Sequence, residues 1–310
     1  MLKIQIKYGF LWALLAFFTE TSLAQVSDSG KTYHGLILDE VMVKAVQQGF
    51  DVKGFIAKMK QDTTYYKAFK TLRILGFKMY NDIAIYDKKE SVKASYNSIS
   101  EQLRKNKCRS TKFTNEKVSG DFYTRKKAYN YYTARLYAHL FFTEGVQCND
   151  NNIVGRQKSY QGSEKYEEQL RILIFNPGQR IHGIPGIGEN VAIFEEPTFS
   201  KYEFRLSRAQ HDGSDCYVFK ARPKEKFADN MVINRLNTYI RVADFAILAR
   251  DYALSFKTLF YDFDVEMNVK LRTWEGLLVP YEIKYKGNWH VMTKSREIAD
   301  FTAIFTDFTH

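Results

Sequence analysis

Proline is scarce in this 310-residue chain, with only five residues, and so is histidine, with six. Few prolines exclude long Pro-rich spacers between domains. The histidines, His34, His139, His182, His211, His290 and His310, lie far apart, and no H-E-x-x-H pattern brings two onto one helix face. A G-x-S-x-G nucleophile elbow is missing as well. The "HDGSD" stretch at 211–215 reads as a turn rather than as part of a triad. "GIPGIGEN" places glycines at 183, 186 and 188, which fits neither the dinucleotide nor the P-loop pattern, and Pro185 marks a surface turn. Motifs therefore indicate no catalytic residue, no metal ligand and no cofactor. After the first twenty residues no uncharged run is long enough to cross a bilayer, so no transmembrane segment is expected in the mature chain. The 46 Lys and Arg against 35 Asp and Glu give a net charge of +11, but the cations are scattered with no basic block. A nucleic-acid partner is not expected.

What is present begins at the N-terminus. "MLKIQIK" carries Lys3 and Lys7, an uncharged apolar run follows from Tyr8 to Phe18, and "SLAQ" places small residues at Ser22 and Ala24. Basic, apolar and small-residue segments in that order predict a secretory signal peptide over 1–24. The mature chain is then exported: periplasmic or outer-membrane-associated, or extracellular. In an oxidising compartment two of the three cysteines can pair. Cys108 and Cys148 are the first choice, because both flank polar, loop-like stretches. Cys216 lies in the alternating "DCYVFKAR" and is expected as a buried thiol. Three pairings remain open on the sequence alone.

The remainder, 25–310, reads as one α+β domain. Residues 25–150 hold a helix and the first strands, 151–165 an internal loop and 166–310 an antiparallel meander. "LILDEVMVKAV", Leu36 to Val46, alternates and predicts a short strand. Val52, Phe55, Ile56 and Met59 form one helical stripe that Asp51 can cap. Tyr66, Phe69 and Leu72 continue helical spacing after "QDTT", where Asp62 or Thr63 can cap. Strands follow at "FKMYNDIAIYD", "SVKASYNSISEQL" and "CRSTKFTNEKV", and Tyr129 to Phe142 reads as helix. Beyond Glu168 nearly every segment alternates. Asp212-Gly213 predicts one hairpin turn and Gly287-Asn288 another. Consecutive strands with short turns and no strand–helix–strand rhythm require antiparallel pairing.

"YDFDVEMNVKL", Tyr261 to Leu271, tests for chemistry most directly, since Asp262, Asp264 and Glu266 stand at alternate positions. That spacing is also the solvated face of a strand whose other face is Tyr261, Phe263, Val265, Met267, Val269 and Leu271. A calcium loop starting at Asp262 would need Gly and Glu where Met267 and Thr273 stand. The acids are therefore read as strand surface, able to meet Lys284 and Lys286 of the next strand. The aromatic load, 24 Phe and 21 Tyr, is expected mostly in the core. A curved antiparallel sheet with an apolar concave face can nevertheless hold an apolar ligand. The candidate residues for one are Tyr239, Phe245, Phe263, Val265, Met267 and Val269.

The order of signal peptide, amphipathic helix and long antiparallel meander resembles the lipoprotein-localisation carriers, the LolA/LolB-like half-barrels, over roughly 50–310. "DTTYYKAFKTLR", "IFNPG" and "PYEIKYKGNW…KSRE" resemble uncharacterised secreted proteins of Bacteroidetes-type bacteria. The resemblance implies a half-barrel with one or two helices on its concave face and a lipid or acyl chain between them. It supplies no motif by which functional residues could be carried over. Two other classes are compatible with the sequence: a structural or adaptor protein docking to an outer-membrane or other envelope protein, and a hydrolase with a dispersed site.

Overall fold

A computed structural model of the chain describes residues 31–149, 190–257, 261–291 and 295–310, with single positions between 173 and 188. The expected signal peptide, the 151–165 loop and the alternating segment at 168–176, apart from Leu173, lie outside the described residues. The chain builds strands β1 (Lys31–Tyr33), β2 (Leu36–Leu38), β3 (Gly76–Tyr86), β4 (Val92–Lys105), β5 (Cys108–Gly120) and β6 (Gln147–Cys148). They continue with β7 (Tyr202–His211), β8 (Ser214–Pro223), β9 (Ile233–Arg241), β10 (Ile247–Lys257), β11 (Tyr261–Trp274), β12 (Leu277–Val291) and β13 (Glu297–Thr309). The helices are α1 (Glu40–Gln47), α2 (Val52–Gln61), α3 (Thr64–Thr71) and α4 (Tyr132–Phe141). Among the described residues these four are the α-helices of eight or more residues, where the half-barrel resemblance implies one or two on the sheet, and Leu173, in a segment read as alternating strand, is helical as well.

All thirteen strands join one curved, unclosed sheet in the order β1-β2-β7-β8-β9-β10-β11-β12-β13-β3-β4-β5-β6. Two meanders, β3 to β5 and β7 to β13, are sewn together where β13 pairs antiparallel with β3, Phe301 opposite Ile83. Among the described residues every pairing is antiparallel except β2 with β7. The architecture is the large antiparallel half-barrel of an α+β chain. Its helix-covered face carries one connected apolar cluster, from Leu36 on β2 to Phe308 on β13. Burying each large apolar side chain there contributes about 1.5–3 kcal/mol.

Two local expectations fail for instructive reasons. Only Leu36–Leu38 of "LILDEVMVKAV" is strand; the rest is α1. Asp39 ends the strand by accepting the Met42 N–H at 2.8 Å, the geometry of a helix N-cap. Its second carboxylate oxygen accepts the Arg208 N–H at 3.3 Å, which fixes α1 to β7. Gly287-Asn288 is not a turn but the interior of β12, with Gly287 between Val265 and Ala299. A side chain at 287 would collide with the Tyr285 ring, which folds across the glycine so that its hydroxyl accepts the Trp289 indole N–H. The actual β11–β12 turn is Glu275-Gly276, with φ 45° and 78°. Asp212-Gly213, φ 46° and 74°, does turn β7 into β8.

Cys108 and Cys148 are bonded and join β5 to β6. Cys216 is a free, buried thiol, and burial pushes its pKa up.

Candidate functional site

On β11 the apolar stripe is covered. Phe263, Val265, Met267 and Val269 are at most 3% exposed, and register sets Val269 opposite Arg250, Met267 opposite Tyr252 and Val265 opposite Leu254 on β10. Six steps of about 3.4 Å, from Phe263 to Val269, give this seam a length of about 20 Å. The other face of β11 is ionic. Asp262 meets Arg296 at 2.8 Å and His290 at 3.3 Å, and Glu266 lies 3.9 Å from Arg235. Lys270 reaches Glu282 of β12 at 3.0 Å and Lys284 reaches it at 3.4 Å. Among the described residues, no group of three or more His, Cys, Asp and Glu could hold a metal ion.

The six predicted ligand residues do not converge. The four on β11 share the helix-covered seam. Phe245 sits in the β9–β10 turn at φ 65°, its ring 5.4 Å from Phe55 of α2, with Lys58 5.0 Å above it. Tyr239 occupies the opposite face, in register with Val218 and Ala249, and stacks on His211 at 4.3 Å.

Two helical covers lie on this face of the sheet, over different strands. The first is α2–α3. Asp51 caps α2 by accepting the Gly54 N–H at 2.9 Å. Val52, Phe55 and Met59 of α2 and Tyr65, Ala68 and Phe69 of α3 are buried. At the break between the helices, Asp62 accepts the Thr64 N–H at 3.0 Å with one oxygen. Its other oxygen lies 3.6 Å from the Arg250 guanidinium, and the two side chains are 8% and 6% exposed. That oxygen and Arg250 Nε have no hydrogen-bond partner, nor does Oγ1 of Thr238, which faces Arg250 in register. The guanidinium lies 4.4 Å over the Tyr65 ring, and the Tyr65 and Tyr252 hydroxyls are 3.4 Å apart. Burial lowers the pKa of Arg250 and raises those of both tyrosines.

The second cover is α4, and every part of it is tied. Glu297 of β13 accepts the Tyr132 and Thr133 N–H groups at its start, both at 2.7 Å. Arg73 donates to the Leu140 and His139 carbonyls at its end, at 2.7 and 3.2 Å. A carboxylate at the N-terminus and a guanidinium at the C-terminus each match the helix dipole. At mid-helix the Tyr137 hydroxyl donates to Asn81 at 2.7 Å, and Asn81 donates to Ser98 and Ser100, both hydroxyls at 3.0 Å. Beside α4 lies a cleft of about 550 Å³ bordered by Tyr86, Lys93, Tyr131, Arg135 and Glu297. Its carboxylate is already engaged in capping.

Sequence reading missed Arg250, Thr238 and Glu297 as site residues. Arg250 had a signal: in "ILARDYAL" it shares strand phase with Tyr252 and Leu254, where an apolar residue belongs. Glu297 had none, because its partners lie 164 and 165 residues away.

No protein-family model matches the chain. No curated protein matches it either. Among solved structures it is similar to a DUF1329 family protein from Desulfovibrio piger, at 11% identity and TM-score 0.24, covering 80% of this chain and 94% of that one. It is also similar to a proposed outer membrane lipoprotein-sorting protein domain from Vibrio parahaemolyticus, at 10% identity and TM-score 0.26, covering 79% and 92%. A LolA superfamily protein from Nitrosomonas europaea matches at 10% identity and TM-score 0.22, covering 80% and 94%. At such scores these likenesses carry no functional argument.

Proposed function

We propose that this protein is an exported envelope protein that binds an apolar, acyl-type ligand between the β9–β11 face and the α2–α3 cover. The observation that carries this reading is the seam itself. An apolar stripe runs along β11 and is buried, on the sheet face where α2 and α3, helices of 10 and 8 residues, pack through contacts such as Tyr65 with Tyr252 of β10 and Phe55 with Phe219 of β8. Helices that short are marginal on their own and depend on their packing against the sheet. Gln102 of β4 fixes the far end of α3 by donating to the Leu72 and Leu75 carbonyls, both at 2.6 Å. Asp39 fixes α1 at the other end. The α2–α3 segment between these anchors is placed to lift and expose the stripe. The order of basic, apolar and small-residue segments over 1–24 supports the export part of this reading.

The test is native mass spectrometry with lipid extraction on the secreted full-length product, followed by titration with a fluorescent fatty acid. The expected result is a co-purifying apolar ligand or saturable binding of the probe, on a chain beginning at Gln25. Protein that carries no lipid and binds no probe would overturn the reading. Recovery of the uncleaved chain from the cytosol would overturn the export part.

A further inference from the structure

We propose that Arg250, with Thr238 beside it, is the seat for the carboxylate of a fatty acid whose chain lies along the Val269–Phe263 stripe. This rests on the apolar-ligand reading above and names the ligand's polar end. A buried guanidinium is costly unless its N–H groups are paired. Here Nε donates to nothing, and the facing Asp62 oxygen stands 3.6 Å away, outside hydrogen-bond distance. The third unpartnered atom, Thr238 Oγ1, is supplied by the neighbouring strand and can donate to the same anion. Three buried polar groups that satisfy none of one another are the lining expected where another polar group belongs.

Chain connectivity assigns the charges. Arg250 and Thr238 are fixed on β10 and β9, whereas Asp62 belongs to the break in the cover. When α2–α3 lifts, Asp62 leaves with it. Arg250 then stands as an uncompensated cation on an apolar wall. A monoanionic head restores the charge balance that Asp62 supplied, and the planar guanidinium matches a carboxylate in two parallel N–H···O bonds. Arg250 is opposite Val269, at one end of the stripe, so a head bound there sends its chain past Met267 and Val265 toward Phe263. Closed, Asp62 competes for the same guanidinium, which makes carboxylate and cover alternatives at one site.

The experiment compares oleate with oleyl alcohol, by calorimetry, on the full chain and two variants. In the unaltered protein oleate should bind about tenfold more tightly, the effect of one charge-assisted pair. Asp62→Asn keeps the capping oxygen for Thr64 and removes the competitor, so oleate binding should tighten several-fold more than oleyl alcohol binding, which gains only from the easier lift of the cover. Asp62→Asn with Arg250→Met stays neutral in the seam and should bind both probes equally. Acetate should not displace oleate. Equal affinity of the two probes for the unaltered protein, or a preference that survives in the double variant, overturns the carboxylate seat and leaves the apolar-ligand reading standing. Displacement by acetate overturns the chain's placement along β11. Binding of neither probe overturns both.

Discussion

Helices α4 and α2–α3 cover two parts of the same sheet face and are fastened by different means. In α4 both ends and the middle are hydrogen-bonded to residues on β3, on β13 and at the end of α3. The end bonds, to the Arg73 guanidinium and the Glu297 carboxylate, contribute about 1.5–3 kcal/mol each, and the neutral Tyr137–Asn81 bond about 1 kcal/mol. The α2–α3 cover is seated by apolar side chains and, at its break, by an ion pair that leaves three polar atoms unpartnered. Each unsatisfied group costs about 1–3 kcal/mol. The difference separates a permanent frame from a part whose closed form retains a local penalty, and a segment of that kind is where ligand-linked opening is expected.

The contrast can be broken most forcefully at the base of the frame. Replacing Cys108 and Cys148 by Ala releases a sequence separation of 40 residues, and urea unfolding should show a loss of about 4 kcal/mol. No loss would mean that the α4 frame does not depend on the β5–β6 link. Asn81→Ala should cost about 2–3 kcal/mol, because Tyr137, Ser98 and Ser100 lose their shared partner. Under α2–α3 the sign should reverse. Asp62→Asn with Arg250→Met should leave stability unchanged or raise it by about 1 kcal/mol, since a poorly seated buried pair returns little of its desolvation cost. A loss comparable to that of Asn81→Ala would erase the distinction between the two covers.

The smallest effect belongs to the solvated face. Burial raises the pKa of Glu282, but Lys270 and Lys284 outweigh it and hold the carboxyl below its usual 4.5. Its contribution is therefore fully present above about pH 4.5 and lost as pH falls through the lower folded value. Glu282→Gln should flatten the acid limb of thermal stability slightly and change nothing at pH 7 to 8 beyond the lost pairing. An unchanged acid limb would show that the β11–β12 charge ladder is too well solvated to matter.

Much of the frame was legible because it is written in local periodicity. The alternation of β11 and β3–β5, the 3.6-residue stripe of α2 and the Asp51 cap depend on neighbours a few residues apart. Gly287-Asn288 misled for the same reason. The dipeptide carries a hairpin signal, and only a Tyr285 ring lying over the backbone turns it into a strand interior. The α1 segment failed because three residues of alternation end at a cap, a boundary that hydrophobic pattern alone does not mark.

The sequence by itself determined the strand-rich α+β class, the antiparallel pairing and the apolar stripe from Phe263 to Val269. These follow from side-chain period and turn chemistry, which act over short stretches. Tertiary structure alone decided that β13 closes onto β3, that Glu297 and Arg73 hold the ends of α4, and that Asp62 stands over Arg250 across 188 residues of chain. Those juxtapositions depend on the order of strands in the sheet. A carboxylate at a helix break and an arginine in a strand bear no local mark of each other until the sheet brings them within 3.6 Å.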